Sequence, residues 1–284
     1  MKAKYMMIVA IIAISFSSIF IKMSQAPPLI IASYRLGIAV LIMSPMVLLK
    51  HREELKKANK GTIKWCIISG VVLGLHFLTW VSSLKYTSIA SAVVLVNTAP
   101  VFSVVGGYIF FKERLHKKAI IGIIIAFIGA ALISGGDYTL GSNIIWGDFL
   151  AISAALFFTI YLAIGNRARK ELSVNSYTFI VYSVAFITLI TIAIVTNVPL
   201  YPYTLREWYI FLALALVCTF LGHSVCNWAL EYLSATFVST VVLAEPIFSI
   251  VWAYYIFKEI PYLWQMIGGL IILCGIYLYV DNEK

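Results

Sequence analysis

The chain has 284 residues, 62% of them hydrophobic and only 12% charged, with 21 Lys and Arg against 12 Asp and Glu. A soluble domain runs at roughly 45 to 50% apolar and about 25% charged, so this chain cannot clothe itself in a polar surface and water is not its main solvent. Soluble enzymes, disordered chains and disulfide-stapled secreted modules are excluded. The four cysteines, Cys66, Cys218, Cys226 and Cys274, stand far apart in apolar runs without C-x-x-C spacing and read as small buried hydrophobes.

A helix needs about 20 mainly apolar residues to cross a ~30 Å hydrocarbon core, because its backbone must satisfy its own hydrogen bonds there. Ten stretches qualify, at 5–23, 29–49, 64–81, 88–111, 118–135, 146–165, 176–196, 208–228, 235–257 and 262–280. The expected fold class is therefore an all-α membrane protein of ten transmembrane helices. The breaks carry Pro27-Pro28, the charged run from Lys50 to Lys60, Gly135-Gly136-Asp137, and Pro199 with Pro202. The first stretch, preceded by Lys2 and Lys4 and followed by Ser24-Gln25-Ala26, has the outline of a signal peptide, but nine further spans argue that it stays as span one.

Short cytoplasmic loops are enriched in Lys and Arg. With the N-terminus inside, sixteen of these residues fall on inner segments, four (Lys22, Lys85, Arg206 and Lys258) on outer loops, and Arg35 within the second span. A multi-pass protein of the plasma (inner) membrane with both termini cytoplasmic is expected. The net charge of +9 then belongs to membrane loops, and nucleic acid is not a partner.

Sliding the sequence by 146 residues superimposes Leu84 to Leu132 on Leu230 to Leu278 without a gap. Identical pairs include Pro100 with Pro246, Ser103 with Ser249, Tyr108 with Tyr254, Lys112-Glu113 with Lys258-Glu259, Gly122 with Gly268 and Gly129 with Gly275. Apolar bias alone does not align Pro, Lys-Glu and two Gly in one register. The chain is expected to be two five-helix halves, 1–138 and 139–284. An odd number of spans per half inverts the second, so Glu113 and Glu259 mark helix ends at opposite faces, as structural gates or caps. Inverted repeats recur in secondary transporters, with the substrate near the midplane between the halves.

The ten-span plan, the segment Leu95 to Glu113 (LVNTAPVFSVVGGYIFFKE) and its echo Leu243 to Glu259 (LAEPIFSIVWAYYIFKE) resemble the EamA-type transporters of the drug/metabolite transporter superfamily, as does an Arg early in the second span, here Arg35. The resemblance covers essentially the whole chain. It implies a ten-helix exporter or permease of amino acids, other metabolites or drugs, and it implies an acid before the Pro of the ninth span, which fits a shared structural role as well as a functional one.

An ionisable group at membrane depth costs roughly 2.5 to 3.5 kcal/mol on insertion scales and usually faces the bundle interior. Glu245, mid-span and directly before Pro246, is the strongest candidate, either to bind an amine-bearing substrate or to carry a proton; the competing reading is a protonated Glu bonded to a neighbouring helix. His76 with Trp80, and His223 with Asn227, are spaced i,i+4 and share a helical face, with Trp228 adjacent. Across a shared cavity such faces can stack on a solute and seat an amine over a ring; otherwise they are packing residues with one interhelical hydrogen bond. Asn97 on the fourth span, Ser17 on the first and Tyr161 on the sixth complete the substrate-binding candidates. Pro100 and Pro246 are expected to bend their helices. Arg35, about two turns below the outer boundary, is expected to snorkel to headgroups or to pair with Glu245. The glycines at 122, 129, 268 and 275 allow close helix approach, within one chain or in a dimer, so a monomer or a homodimer fits.

The competing class is a membrane-embedded enzyme or lipid-handling protein. The chain shows no H-E-x-x-H, no G-x-S-x-G and no second mid-span acid beside Glu245. It has no phosphate-cradling Gly-rich loop ending in Lys-Ser or Lys-Thr, so ATP-driven pumping by this chain alone is not expected, and no cofactor is called for. A metal permease through His76, His223 and Glu245 lacks motif spacing, and a passive channel stays open. The expectation is a secondary transporter of a small organic metabolite, working by alternating access, with protons as a coupling partner through Glu245.

Overall fold

A computed structural model describes residues 2–87, 89–111, 117–134, 144–258 and 263–282, which are helical with no strand among them. In chain order the helices are α1 (Lys2–Met23), α2 (Pro28–Lys50), the short α3 (Arg52–Lys57), α4 (Lys60–Ser83), α5 (Ile89–Val96), α6 (Ala99–Phe111), α7 (Lys117–Ser134), α8 (Ile144–Ala168), α9 (Val174–Val195), α10 (Leu205–Ala229), α11 (Ala235–Val242), α12 (Glu245–Phe257) and α13 (Leu263–Asn282). Among the described residues seven stretches are long and apolar enough to cross a membrane: α1, α2, α4, α8, α9, α10, and α11 with α12 taken as one. Glu113 and Glu259 lie outside the described residues.

Hydrophobicity decides which faces point inward only where helices meet, and the outer surface stays apolar. Leu41, Leu49, Ile124, Leu270 and Tyr277 are all exposed, an arrangement that suits hydrocarbon rather than water. Cys274, expected to be buried, is exposed on α13 among them. The reason is that an apolar run in lipid carries no marker separating its inner from its outer face.

Two helices are interrupted at one place in the repeat. Between α5 and α6 the chain turns at Asn97-Thr98, and between α11 and α12 it turns at Leu243-Ala244, 146 residues later. In both cases a Pro follows as the second residue of the next helix, where its missing N–H costs nothing, while its ring obstructs continuation of the helix before it. The backbone tightens into i→i−3 bonds across each break, Thr98 N–H to Leu95 C=O and Leu243 N–H to Thr240 C=O, both 3.1 Å.

α1 packs on α10, and α8 on α4, while α2 packs on α9. α7 and α13 run antiparallel, since Gly122 abuts Gly275 and Tyr279 whereas Gly129 abuts Gly268 and Ile272.

Polar clasps tie the two ends of the bundle. At one end Glu207 accepts from the Ser24 hydroxyl and, at 2.9 Å, from the Gln25 N–H, and Thr87 donates to Asp148 at 2.9 Å. At the other, Lys-rich end, Thr62 donates to Glu171, Arg169 pairs with Glu231, and Glu54 accepts from the backbone N–H of Ser173 at 2.5 Å and from the hydroxyls of Ser173 and Ser176 at 2.7 Å.

Partial burial by itself would raise the Glu54 carboxyl, but the Ser173 N–H, the two hydroxyls and His51 bond its charged form and hold it below the ordinary 4.5. A carboxyl depressed in the folded state contributes stability above its unfolded value and loses it as pH falls through the folded one. Glu54→Gln is therefore expected to lower the melting temperature at neutral pH, with the difference from the unsubstituted protein vanishing below the usual carboxylate range. Paired thermal melts across that range check it, and a difference constant with pH would refute the clasp.

Candidate functional site

The two helix breaks converge on one cavity. Its wall comes from Ile14 and Ser17 of α1, His76 and Trp80 of α4, Val96 and Asn97 at the first break, Phe158 of α8, His223 of α10, and Val242 with Glu245 at the second break. Six expected substrate-binding residues, Ser17, His76, Trp80, Asn97, His223 and Glu245, thus meet at one place although they are spread over 229 residues of sequence.

Glu245 sits in the first turn of α12, where the helix-starting N–H groups favour a negative charge. Asn97 shares the cavity wall with it and donates its amide to Val93 C=O at 2.7 Å. The helix after each break is anchored to a neighbouring helix. Trp252 of α12 donates to the Ser15 hydroxyl at 2.8 Å, and Thr159 of α8 donates to Ala99 C=O at 3.0 Å. Glu245 itself is buried.

Another part of the wall is aromatic. The rings of His76 and Trp80 are parallel with centroids 6.5 Å apart, His76 stands 6.5 Å from His223, and Phe158 lies 5.1 Å from His76 and 6.1 Å from His223. His76 Nδ1 donates to Ala154 C=O at 2.9 Å, which fixes its tautomer and leaves Nε2 for another partner. Trp80 Nε1 and His223 Nδ1 are buried without a hydrogen-bond partner. Such groups are costly unless something else supplies the bond. The cavity measures about 30 Å³, room for one or two waters by the usual minimum of about 10–15 Å³ each, and too small for an organic solute.

Arg35 does not snorkel. Its guanidinium is buried, donating from Nε to Thr219 at 2.8 Å and from Nη1 to Ser17 at 3.1 Å, and it lies 4.4 Å over the Phe77 ring, while Nη2 has no partner. Position along a helix gives depth but not rotation, and rotation here turns the side chain into the bundle. Thr219 belongs to a π-helical stretch of α10, Leu214–Ser224, and donates in turn to Leu214 C=O at 3.1 Å. Such widened turns accumulate at functional sites.

Three expected residues fall elsewhere. Asn227 folds back, its amide donating to His223 C=O at 2.9 Å and to the hydroxyls of Tyr161 and Tyr182, so it and Tyr161 form a buried knot beside the cavity. Trp228 lines a separate hollow of about 220 Å³ with Met43, Asn175, Phe220 and Ser224. The i,i+4 rule puts Asn227 on the face of His223 and cannot tell that its side chain bonds the His223 carbonyl instead of lining the cavity. Ile14, Val96, Phe158 and Val242 were missed, because an apolar residue in an apolar run carries no signal. No group of three His, Cys, Asp or Glu is placed to hold a metal ion among the described residues.

Comparison with known proteins bears on this arrangement. The model of the EamA-like transporter family matches the chain twice, over residues 1–135 and 145–280. An uncharacterized transporter of Archaeoglobus fulgidus is 26% identical over 278 residues, covering 95% of this chain and 93% of the relative. The uncharacterized transporter YyaM of Bacillus subtilis is 24% identical, covering 86% of this chain and 82% of the relative. The pseudopaline exporter CntI of Pseudomonas aeruginosa is 23% identical, covering 84% of this chain and 82% of the relative. A crystal structure superimposes with a TM-score of 0.79 at 16% identity, covering 100% of this chain and 99% of that one, which speaks for the fold alone. With helices apolar enough for several crossings and a family model that spans nearly its whole length, the chain is a multi-pass membrane protein and belongs to the EamA-like transporter family.

Proposed function

We propose that the protein is a secondary carrier of small organic solutes in the plasma membrane, made of two oppositely oriented five-span halves, 1–138 and 139–284, and working by alternating access with export as its direction. The observation that carries this reading is the cavity at the two helix breaks, walled by both halves and holding a buried acid with two unpartnered polar nitrogens. Interrupted helices in matching positions are where repeat-built transporters bind cargo. The antiparallel contact of α7 with α13, helices one repeat length apart, supports inversion, and so do the two family-model matches. The ten-span count follows if α5 with α6, α7 and α13 each cross as well. Export is favoured by the exporter among the relatives. The Lys-rich end, with both termini, is assigned to the cytoplasm.

Two similar halves of opposite orientation give inward-open and outward-open states of comparable energy. The cavity is too small for a solute and both ends are clasped, so the conformation is closed around the site and one clasp at a time must release. Glu245 is the coupling group. A proton and a cationic substituent of the solute compete for one carboxylate, and that exclusion turns a proton gradient into solute movement. A 100 mV potential offers about 2.3 kcal/mol per charge moved, enough for roughly fifty-fold accumulation.

The test is counterflow in proteoliposomes, using solutes found by thermal-shift screening of metabolite pools. A carrier gives saturable uptake that solute on the far side accelerates. Flux without saturation or counterflow would mean a channel, and lipid turnover without flux an embedded enzyme. In the same assay Trp80→Phe, which keeps the ring plane and removes the N–H, is expected to raise half-saturation about three- to tenfold, the worth of one neutral hydrogen bond. No change would place Trp80 among packing residues.

A further inference from the structure

The cavity holds one acid, and a buried cation lies immediately behind its wall. Arg35 reaches the site through Ser17, whose hydroxyl lines the cavity and accepts from Nη1 at 3.1 Å. Its other anchors, Thr219 and the Phe77 ring, fix the guanidinium there, and Phe77 in turn stands 5.2 Å from His223. A guanidinium is a permanent cation. Without it, a carboxylate facing Trp80, His76 and Phe158 would form a box for organic cations. With it, the two opposite charges cancel over the dimensions of a solute, and a bare cation gains at Glu245 while being repelled from behind Ser17.

We infer that Arg35 sets the charge selectivity of this cavity and restricts it to dipolar solutes of zero net charge, each with a cationic end at Glu245 and an anionic end at Trp80 and His223. The unpartnered nitrogens fit the second half of that assignment. Trp80 Nε1 can only donate and wants an oxygen acceptor, and His223 Nδ1 meets the same acceptor in the tautomer that protonates it. They stand among the rings of the wall while the acid stands at the helix break, which gives the one site a negative group and a donor group on different helices. The inference rests on the carrier reading of the same cavity, and Arg35 acts on the solute through its field and through Ser17 rather than by contact.

The experiment uses the full chain in lipid nanodiscs and three probes that share one skeleton: phenethylamine (cation), 3-phenylpropanoate (anion) and phenylalanine (zwitterion). Binding is read from thermal shifts titrated with each probe. The unsubstituted protein is expected to bind phenylalanine at least tenfold more tightly than either charged probe. Arg35→Gln should move the preference to phenethylamine by tenfold or more, Arg35→Lys should preserve the original ranking, and Glu245→Gln should move it to 3-phenylpropanoate. A preference of the unsubstituted protein for the amine, or an unchanged ranking in Arg35→Gln, overturns the role of Arg35 and leaves the cavity standing. If Arg35→Gln fails to fold, Glu245→Gln decides alone: Arg35 is then uncancelled, and a ranking that does not turn to the anion overturns the inference. No shift with any probe overturns the dipolar assignment, and shifts that neither Glu245→Gln nor Trp80→Phe alters also remove the cavity as the binding site.

Discussion

Glu245→Gln is expected to lower solute flux at least tenfold in proteoliposomes and to abolish its dependence on a pH gradient. The amide is isosteric with the carboxyl and keeps its place beside Asn97 on the cavity wall, so the break between α11 and α12 keeps its shape. What is lost is the charge, and with it the exchange of a proton for a cationic substituent. A charge-assisted hydrogen bond is worth about 1.5 to 3 kcal/mol, which corresponds to about ten- to a hundred-and-fiftyfold in binding. The measurement is initial uptake with and without an imposed pH gradient, alongside proton movement followed by a lumenal pH dye. Full, pH-dependent flux in Glu245→Gln would eliminate Glu245 as the coupling group. Reduced flux that kept its pH dependence would keep Glu245 as a binding residue and require the proton to be carried elsewhere.

What the sequence revealed of this site follows from the cost of polarity in lipid. Glu245, His76, His223, Asn97 and Ser17 stand out because a polar group in an apolar run is expensive unless it faces the interior, and the structure does gather them around one cavity. Pro100 and Pro246 signalled a bend in each span, but not that the helix stops and restarts there. Arg35 shows the limit of that logic: the second span gave its depth, yet its partners Ser17 and Thr219 lie on other helices, 18 and 184 residues away along the chain, and no local pattern announces them. The Glu54 clasp was hidden for the same reason. Its donors, Ser173 and Ser176, stand at the start of α9 more than a hundred residues later, and a charged run reads as a solvated loop until the other partner is in place. The apolar wall from Phe158 and Val96 was silent because lipid-facing and cavity-facing residues have the same composition in this solvent.

Gly275→Ala is expected to be among the most destabilising small substitutions in the chain. A Cβ there would lie 2.3 Å from the Ala126 backbone nitrogen, 2.6 Å from the Gly122 carbonyl oxygen and 2.7 Å from the Ala126 Cβ. Two of these are backbone atoms that no rotamer change can move, so α7 and α13 must separate. Overpacking of this kind costs about 1 to 3 kcal/mol, partly offset by the better helix propensity of Ala, about 0.8 to 1 kcal/mol in water. Gly269→Ala, on the same helix, is the control. Its Cβ would meet only the Ile247 side chain at 3.6 Å, an ordinary contact, and it should be neutral or slightly stabilising. Thermal melts in nanodiscs give the comparison, with a fall of several degrees expected for Gly275→Ala and none for Gly269→Ala. The consequence extends to transport, because α7 and α13 also brace the second break: Ala126 and Ile272 pack with Leu243, and Ile123 and Tyr279 pack with Phe237. Positions 126 and 272, one repeat length apart, belong to the same buried cluster. Spreading the pair there loosens the support of Glu245, so flux in Gly275→Ala should fall even at temperatures well below its melting point. Equal melting temperatures for the two variants would show that the close approach of α7 and α13 is not what holds this part of the bundle together.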